Sequence, residues 1–253
     1  VAATPFETVL ESIIAAVEAV KEDAVRSYGE ESVENTCRIT RWACYALLAD
    51  LYLWKGDWQK CIDCCDMVIN QKIKEYEKEY EENPTTMTVE LYDIYPLISE
   101  SLSNSNYAGN AYTEIFGAGN SFESIFELNF VNNQSVANNT VSSFYGSSSN
   151  KTGQIGAPTF LYSDAYAGLN DYFTKTDCRY LENMSESNNK IYISKYVNQS
   201  VSFRTSTTTG AAPAVNGEVR SSAYANWIIY RLTDVMLMRA EAEIALAGNV
   251  EEG

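Results

Sequence analysis

Histidine is missing altogether from this chain of 253 residues. Without an imidazole there can be no Ser-His-Asp triad, no Cys-His dyad and no histidine-ligated zinc centre. Basic side chains are scarce as well: 18 Lys and Arg stand against 34 Asp and Glu, a net charge of −16. So acidic a chain repels phosphate backbones, which excludes nucleic acid as a natural partner. Long apolar runs are lacking too. The longest spans Ala43 to Ala49, whereas a membrane-crossing helix needs about 20 such residues. The start, Val1-Ala2-Ala3, has neither the basic nor the apolar region of a secretion signal, so any export signal is expected to lie outside this sequence. What remains is a globular inventory, 45% hydrophobic and 12% aromatic with 18 Tyr. That composition excludes disorder, and the length suits one large domain or two small ones.

The six cysteines are Cys37, Cys44, Cys61, Cys64, Cys65 and Cys178. A structural zinc site usually draws on two spaced pairs of ligands. Here there is one cluster, Cys61-x-x-Cys64-Cys65, and the surrounding pattern reads it as small apolar residues on a helix face.

Helical periodicity organises both ends of the chain. Thr4-Pro5-Phe6-Glu7 reads as a capping box, followed by an apolar stripe of Phe6, Leu10, Ile13, Val17 and Val20. A stronger pattern places Tyr45, Leu48, Ala49, Tyr52 and Leu53 on one helix face, ending near Lys55. Gly56 then supplies the left-handed turn, and Cys61, Cys65, Val68 and Ile69 form the inner face of a second helix folding back. This is the tetratricopeptide helix-turn-helix pattern. The second helix continues through mixed charges to Glu82, where Asn83-Pro84 stops it. Near the end, Leu237, Ala240, Ile244 and Ala245 stand to Gly248 much as the first group stands to Gly56. A second such unit therefore opens there, its apolar face without a partner, and the chain is expected to be a fragment.

The middle is irregular. Leu91 to Ile98 reads as a short helix or buried loop. Phe122 to Phe130 alternates as a half-buried strand with the phenylalanines on one face. Residues 131–157 are rich in Asn, Ser, Gly and Thr, the composition of surface loops that often carry function. Sequons at Asn133, Asn138, Asn150, Asn183 and Asn198 occur about as often as chance provides in so Asn-rich a chain. Lys190 to Val197 reads as a strand that Val201-Ser202-Phe203 could pair with, and Thr205 to Gly217 as a polar loop.

Four segments in order carry a family resemblance. They are Arg41 to Trp58 (RWACYALLADLYLWKGDW), Glu123 to Leu128 (ESIFEL), Asp177-Cys178-Arg179 followed by Lys195-Tyr196, and Tyr230 to Ala242 (YRLTDVMLMRAEA). Together they resemble the SusD/RagB family of outer-membrane nutrient-binding lipoproteins. Cys178 stands where that family has Pro and Thr233 where it has Ala. The lipid-bearing cysteine and the stretch beyond the last helix are not in this sequence. The resemblance implies a mainly α fold, a tetratricopeptide-like helix-turn-helix scaffold (αα superhelix) with a loop-rich insert containing a few short strands. The expected division is a helical scaffold at 1–119 with the tetratricopeptide-like unit at 39–82, an insert at 120–220 offering the ligand surface, and a returning scaffold helix at 221–253. It also implies a cell-surface protein, lipid-anchored in full length, that captures oligosaccharide or peptide for a SusC-like TonB-dependent transporter. Neither catalysis nor a cofactor or metal is implied.

The residues themselves point the same way with less detail. A sugar needs a flat apolar face for its C–H groups and polar side chains for its hydroxyls, and aromatic residues supply the first. Phe144, Tyr145, Tyr162 and Tyr166 are the candidate platform, with Asn138, Asn139 and Asp164 as polar partners. The competing use of these rings is anchoring loops to the scaffold. Trp42, Trp54 and Trp58 are expected in helix packing. Two other functions compete. A tetratricopeptide protein-interaction scaffold would be helical throughout. A glycoside hydrolase would need paired carboxylates; Glu123 and Glu127 have strand spacing for it but are expected in solvent, opposite the phenylalanines, while Glu241 and Glu243 lie on a packing helix.

Overall fold

The computed structural model describes residues 3–29, 32–99, 102–103, 106–107, 110–131, 137–145, 153–158, 182–187, 190–204, 214–220 and 224–248. Helices α1 (Phe6–Glu18), α2 (Ser32–Cys37), α3 (Arg41–Lys55) and α4 (Trp58–Glu82) come first. Strands β1 (Val89–Tyr92), β2 (Tyr95–Ile98), β3 (Leu102–Ser103) and β4 (Asn106–Tyr107) follow. Helix α5 (Asn110–Tyr112) runs into a π-helical turn, Thr113–Ala118, before β5 (Ser124–Leu128) and α6 (Asn139–Phe144). Then come β6 (Gly156–Ala157), β7 (Met184–Ser187), β8 (Lys190–Ile193), β9 (Asn198–Arg204), β10 (Ala214–Val219), β11 (Trp227–Arg231) and α7 (Leu232–Ala247). The chain forms two compact units: residues 1–97, 122–128 and 228–253 in one, residues 98–121 and 129–227 in the other. The fold is mainly α, built on the tetratricopeptide-like pair α3 and α4, with short strands elsewhere. Among the described residues no helix is long and apolar enough to cross a membrane.

In the first unit α3 begins where Thr40 leaves the helical conformation and its Oγ1 accepts from the Ala43 N–H at 3.2 Å. Thr40→Ala removes that acceptor from a buried site, so the unfolding free energy is expected to fall by about 1 kcal/mol; a urea titration matching the parent would show that the cap is idle. The helix ends at Gly56, with φ 76°, whose N–H reaches Leu53 O at 3.1 Å while Asp57 N–H reaches Tyr52 O at 3.0 Å. A residue with a Cβ is strained there, so glycine sets the place where the chain reverses into α4.

Tyr45, Leu48, Ala49 and Tyr52 of α3 meet Cys61, Ile62, Cys65, Val68 and Ile69 of α4, all buried in one apolar cluster. Ala46, Ala49, Cys61 and Cys65 are completely covered, and their small size lets the backbones come close. The cysteines therefore serve packing. Burial pushes the Cys64 thiol up to about 12 and raises that of Cys44 as well, which keeps both protonated. Cys178 lies outside the described residues. Helix α7 also joins the cluster through Leu232, Val235 and Ala242. Two polar ties hold it: Arg239 Nε donates to Asp66 at 2.7 Å and the Tyr230 hydroxyl to Asp50 at 2.7 Å. Its other residues singled out above, Leu237, Ala240, Ile244 and Ala245, are exposed.

Several local readings need correction. Helix α1 starts after Pro5, whose ψ of 145° is not helical, and no side chain caps it. It buries Leu10 and Ile14, leaving Phe6 and Ile13 exposed, because this face is the one that meets α3. Trp42 and Trp58 pack against the core, but Trp54 is 71% exposed, with the edge of Phe6 beside it at 6.3 Å. Leu91 to Ile98 is neither helix nor loop but the arms of the β1–β2 hairpin, turned by Asp93 at φ 57°. Aspartate tolerates the left-handed region, so the turn carries no glycine signal.

Strand β5 pairs with β11, and the acidic residues of its segment face inward: Glu123 is 3% exposed and Glu127 not at all. Glu123 Oε2 accepts from Arg231 Nη1 at 3.2 Å and from Thr233 Oγ1 at 3.0 Å, and its carbonyl accepts from Leu232 N–H at 2.8 Å. Ser124 donates to Glu127. These bonds make burial of the carboxylates tolerable. They also engage both as structural groups tying β5 to the first turn of α7, where solvent exposure had been expected.

In the second unit β10, β9, β4 and β3 form one sheet in that order, and β6, β8 and β7 another. The Lys190 to Val197 strand is shorter than its sequence implies, since the chain turns at 194–197 before β9. Strand β9 accordingly pairs with β10, Val201 opposite Gly217 and Phe203 opposite Val215, rather than with β8. Ala214 to Gly217 thus belongs to a strand, and residues 205–213 lie outside the described ones.

Candidate functional site

Five aromatic side chains of the second unit, Tyr112, Phe116, Tyr145, Tyr196 and Trp227, gather around one turn. Val197 N–H closes it on Ser194 O at 2.9 Å, and Tyr196 within it adopts φ 67°. This left-handed conformation is rare for a bulky residue. The Tyr196 ring is buried in a row. Trp227 stacks on it at 5.6 Å and 13°, and Tyr145 stacks on it at 6.2 Å and 29°. Phe116 meets it edge-on at 5.4 Å and 86°, and Tyr112 lies 5.7 Å beyond Phe116. Offset stacking and edge-to-face contact are the favoured ring geometries. The buried Tyr112 hydroxyl lies 3.1 Å from Ser194 O and 3.3 Å from Asn198 O, the carbonyls on either side of the turn, and burial raises its pKa.

Two cations attend the row in this otherwise acidic protein. Lys195 Nζ sits 4.4 Å from the Phe116 centroid and 5.7 Å from that of Tyr196. Arg220, 5% exposed, is a clasp: Nε donates to Tyr196 O at 3.1 Å, and Nη2 donates to Gly117 O at 2.6 Å and to Phe116 O. Its desolvation lowers its pKa, and its guanidinium also lies 4.9 Å from the Tyr224 ring. One side chain thereby holds the π-helical turn and the Tyr196 turn together. The turn can come so near β9 because residue 117 is glycine: a Cβ there would stand 2.1 Å from Gln199 O.

Tyr145 reaches the row from the end of α6. Asn138 is 3% exposed and its Nδ2 donates to Ala225 O at 2.9 Å, anchoring the start of that helix. At its end Gln154 N–H reaches Ser143 O at 3.0 Å and Ile155 N–H reaches Phe144 O at 2.8 Å. Of the candidate residues, Tyr145 is half-buried in the row, Phe144 is 39% exposed beside it in sequence, and Asn139 is exposed. The Asn138 amide nitrogen is committed to the backbone. Tyr162, Asp164 and Tyr166 lie outside the described residues. Tyr196, Trp227, Phe116 and Arg220 were not among the candidates. Lys195-Tyr196 was a signal for two of the row's neighbours, but nothing in the sequence linked it to Tyr145.

No family model and no curated protein matches the chain. Solved structures do. A SusD superfamily protein from Bacteroides vulgatus ATCC 8482 matches with TM-score 0.50 at 18% identity, over 94% of this chain and 42% of that one. A SusD-like protein from Bacteroides fragilis NCTC 9343 matches with TM-score 0.51 at 16% identity, over 98% of this chain and 51% of its own. The chain shares the fold of these two structures. At such identities the likeness concerns the fold. The chain spans 42% and 51% of the length of these two SusD-like proteins.

Proposed function

We propose that the chain is part of a non-enzymatic, cell-surface glycan-binding protein of SusD type. It captures oligosaccharide and passes it to a SusC-like TonB-dependent transporter, and the whole protein is lipid-anchored at the outer membrane. The observation that carries the reading is the row of stacked rings with Tyr145 at its end. Such a row presents a rigid π-face, the surface that the C–H groups of a sugar require. Phe144 and Asn139 are exposed next to it in sequence, and Tyr162, Tyr166 and Asp164 are further proposed contacts. Cleavage is disfavoured because the paired carboxylates of suitable spacing, Glu123 and Glu127, are engaged in structural bonds.

Calorimetric titration with neutral oligosaccharides tests this. Tyr145→Ala is expected to weaken binding about tenfold, near 1.4 kcal/mol, with the fold unchanged by circular dichroism. Affinity equal to the parent's would remove Tyr145 from the site, and a peptide library bound in preference to sugars would redirect the ligand class. Sugar released from mixed glycans on incubation would overturn the non-enzymatic assignment.

A further inference from the structure

We infer that Tyr196 and Gly153 are positioning residues that hold the Tyr145 ring ready-made for stacking on a sugar. The inference rests on the saccharide reading of Tyr145 and adds what fixes the ring.

Tyrosine at φ 67° carries backbone strain that glycine or asparagine would not. The turn alone therefore gives no reason for a tyrosine, whereas the ring has one: it lies between Trp227 and Tyr145, with Phe116 at its edge. Arg220 and Tyr112 bond the carbonyls of the same turn, so the strained conformation is held from the backbone side. Gly153 acts on the other partner. A Cβ at 153 would stand 2.1 Å from Phe144 O and 2.6 Å from the Tyr145 carbonyl carbon. Those are backbone atoms, and they could yield only by moving the end of α6. Glycine is what lets Gln154 and Ile155 bond Ser143 and Phe144.

Tyr145 is thus fixed twice, through its backbone by 153–155 and through its ring by Tyr196. Among the described residues Tyr196 is the ring stacked on it. A surface ordered beforehand loses little freedom on binding.

The experiment titrates cellohexaose, xylohexaose and hexagalacturonate into the parent and into Tyr196→Gly, Tyr196→Phe and Gly153→Ala. Glycine suits the positive φ, so Tyr196→Gly removes the ring while easing the backbone, and near-UV circular dichroism reads the loss of ring coupling. Tyr196→Gly and Gly153→Ala are each expected to weaken cellohexaose about tenfold, and Tyr196→Phe to restore parental affinity. Parental affinity in Tyr196→Gly despite a changed near-UV spectrum overturns the positioning role. If Tyr196→Gly does not fold, Gly153→Ala decides by the same criterion. A parent that binds none of the three defeats the saccharide reading itself, whereas a parent whose binding Tyr145→Ala weakens and Tyr196→Gly spares defeats this inference alone.

Discussion

Leu48→Ala is expected to lower the unfolding free energy of the helical unit by about 3 kcal/mol, within the range for a buried leucine that cannot be replaced by relaxation. Leu48 is fully covered at the centre of the α3–α4 contact. Its neighbours Ala46, Ala49, Cys61 and Cys65 are small and fully covered too, so they have no spare side chain to swing into the space. Most of the lost volume stays as cavity, and the cost adds to the lost transfer energy. Leu237→Ala is the control, since Leu237 is 65% exposed and its truncation should cost within about 0.5 kcal/mol. Urea titrations followed by far-UV circular dichroism compare the two. Equal midpoints would mean that the helix pair is not where stability resides.

Arg220→Leu is expected to destabilise the second unit by about 3–5 kcal/mol, because it removes a buried charged donor that bonds three backbone carbonyls at once. The bonds to Tyr196 O, Phe116 O and Gly117 O join two turns that no ladder connects directly. Arg220→Lys should recover little, as an ammonium lacks the planar fork that reaches several carbonyls at once. Near-UV circular dichroism should show ring coupling in the Tyr196 row fading at lower urea in Arg220→Leu than in the parent, with the helical transition unmoved. Coincident, unshifted transitions would deny Arg220 this role. Each unit has its own compact set of contacts, so the two transitions need not coincide even in the parent.

Where a structural choice is made by a few neighbouring residues, the sequence shows it. Gly56 ends α3, Asn83-Pro84 ends α4 and Gly248 ends α7, each by a local backbone property. The α3–α4 faces were likewise readable from spacing alone. Where the choice depends on a distant partner, the pattern misleads. The alternation of β5 was evident, but which side faces in was settled by Arg231 and Thr233, far along the chain, which make a buried Glu123 acceptable. The β1–β2 turn uses Asp93 in place of glycine and so left no mark. At the site, Phe144 and Tyr145 stood out because they are rings in a polar stretch. The role of Tyr196 depends on Tyr145 and Trp227, which are remote in sequence, and on a positive φ that no propensity announces.

The placement of the four tryptophans gives the molecule built-in optical reporters. Trp42, Trp54 and Trp58 lie in the helical unit, and the second unit has a single indole, Trp227, stacked on Tyr196. With the other three replaced by phenylalanine, emission from Trp227 registers the ring row alone. Trp54, open to water, is the indole that an aqueous quencher such as iodide reaches first, which separates its signal from that of the row without any substitution.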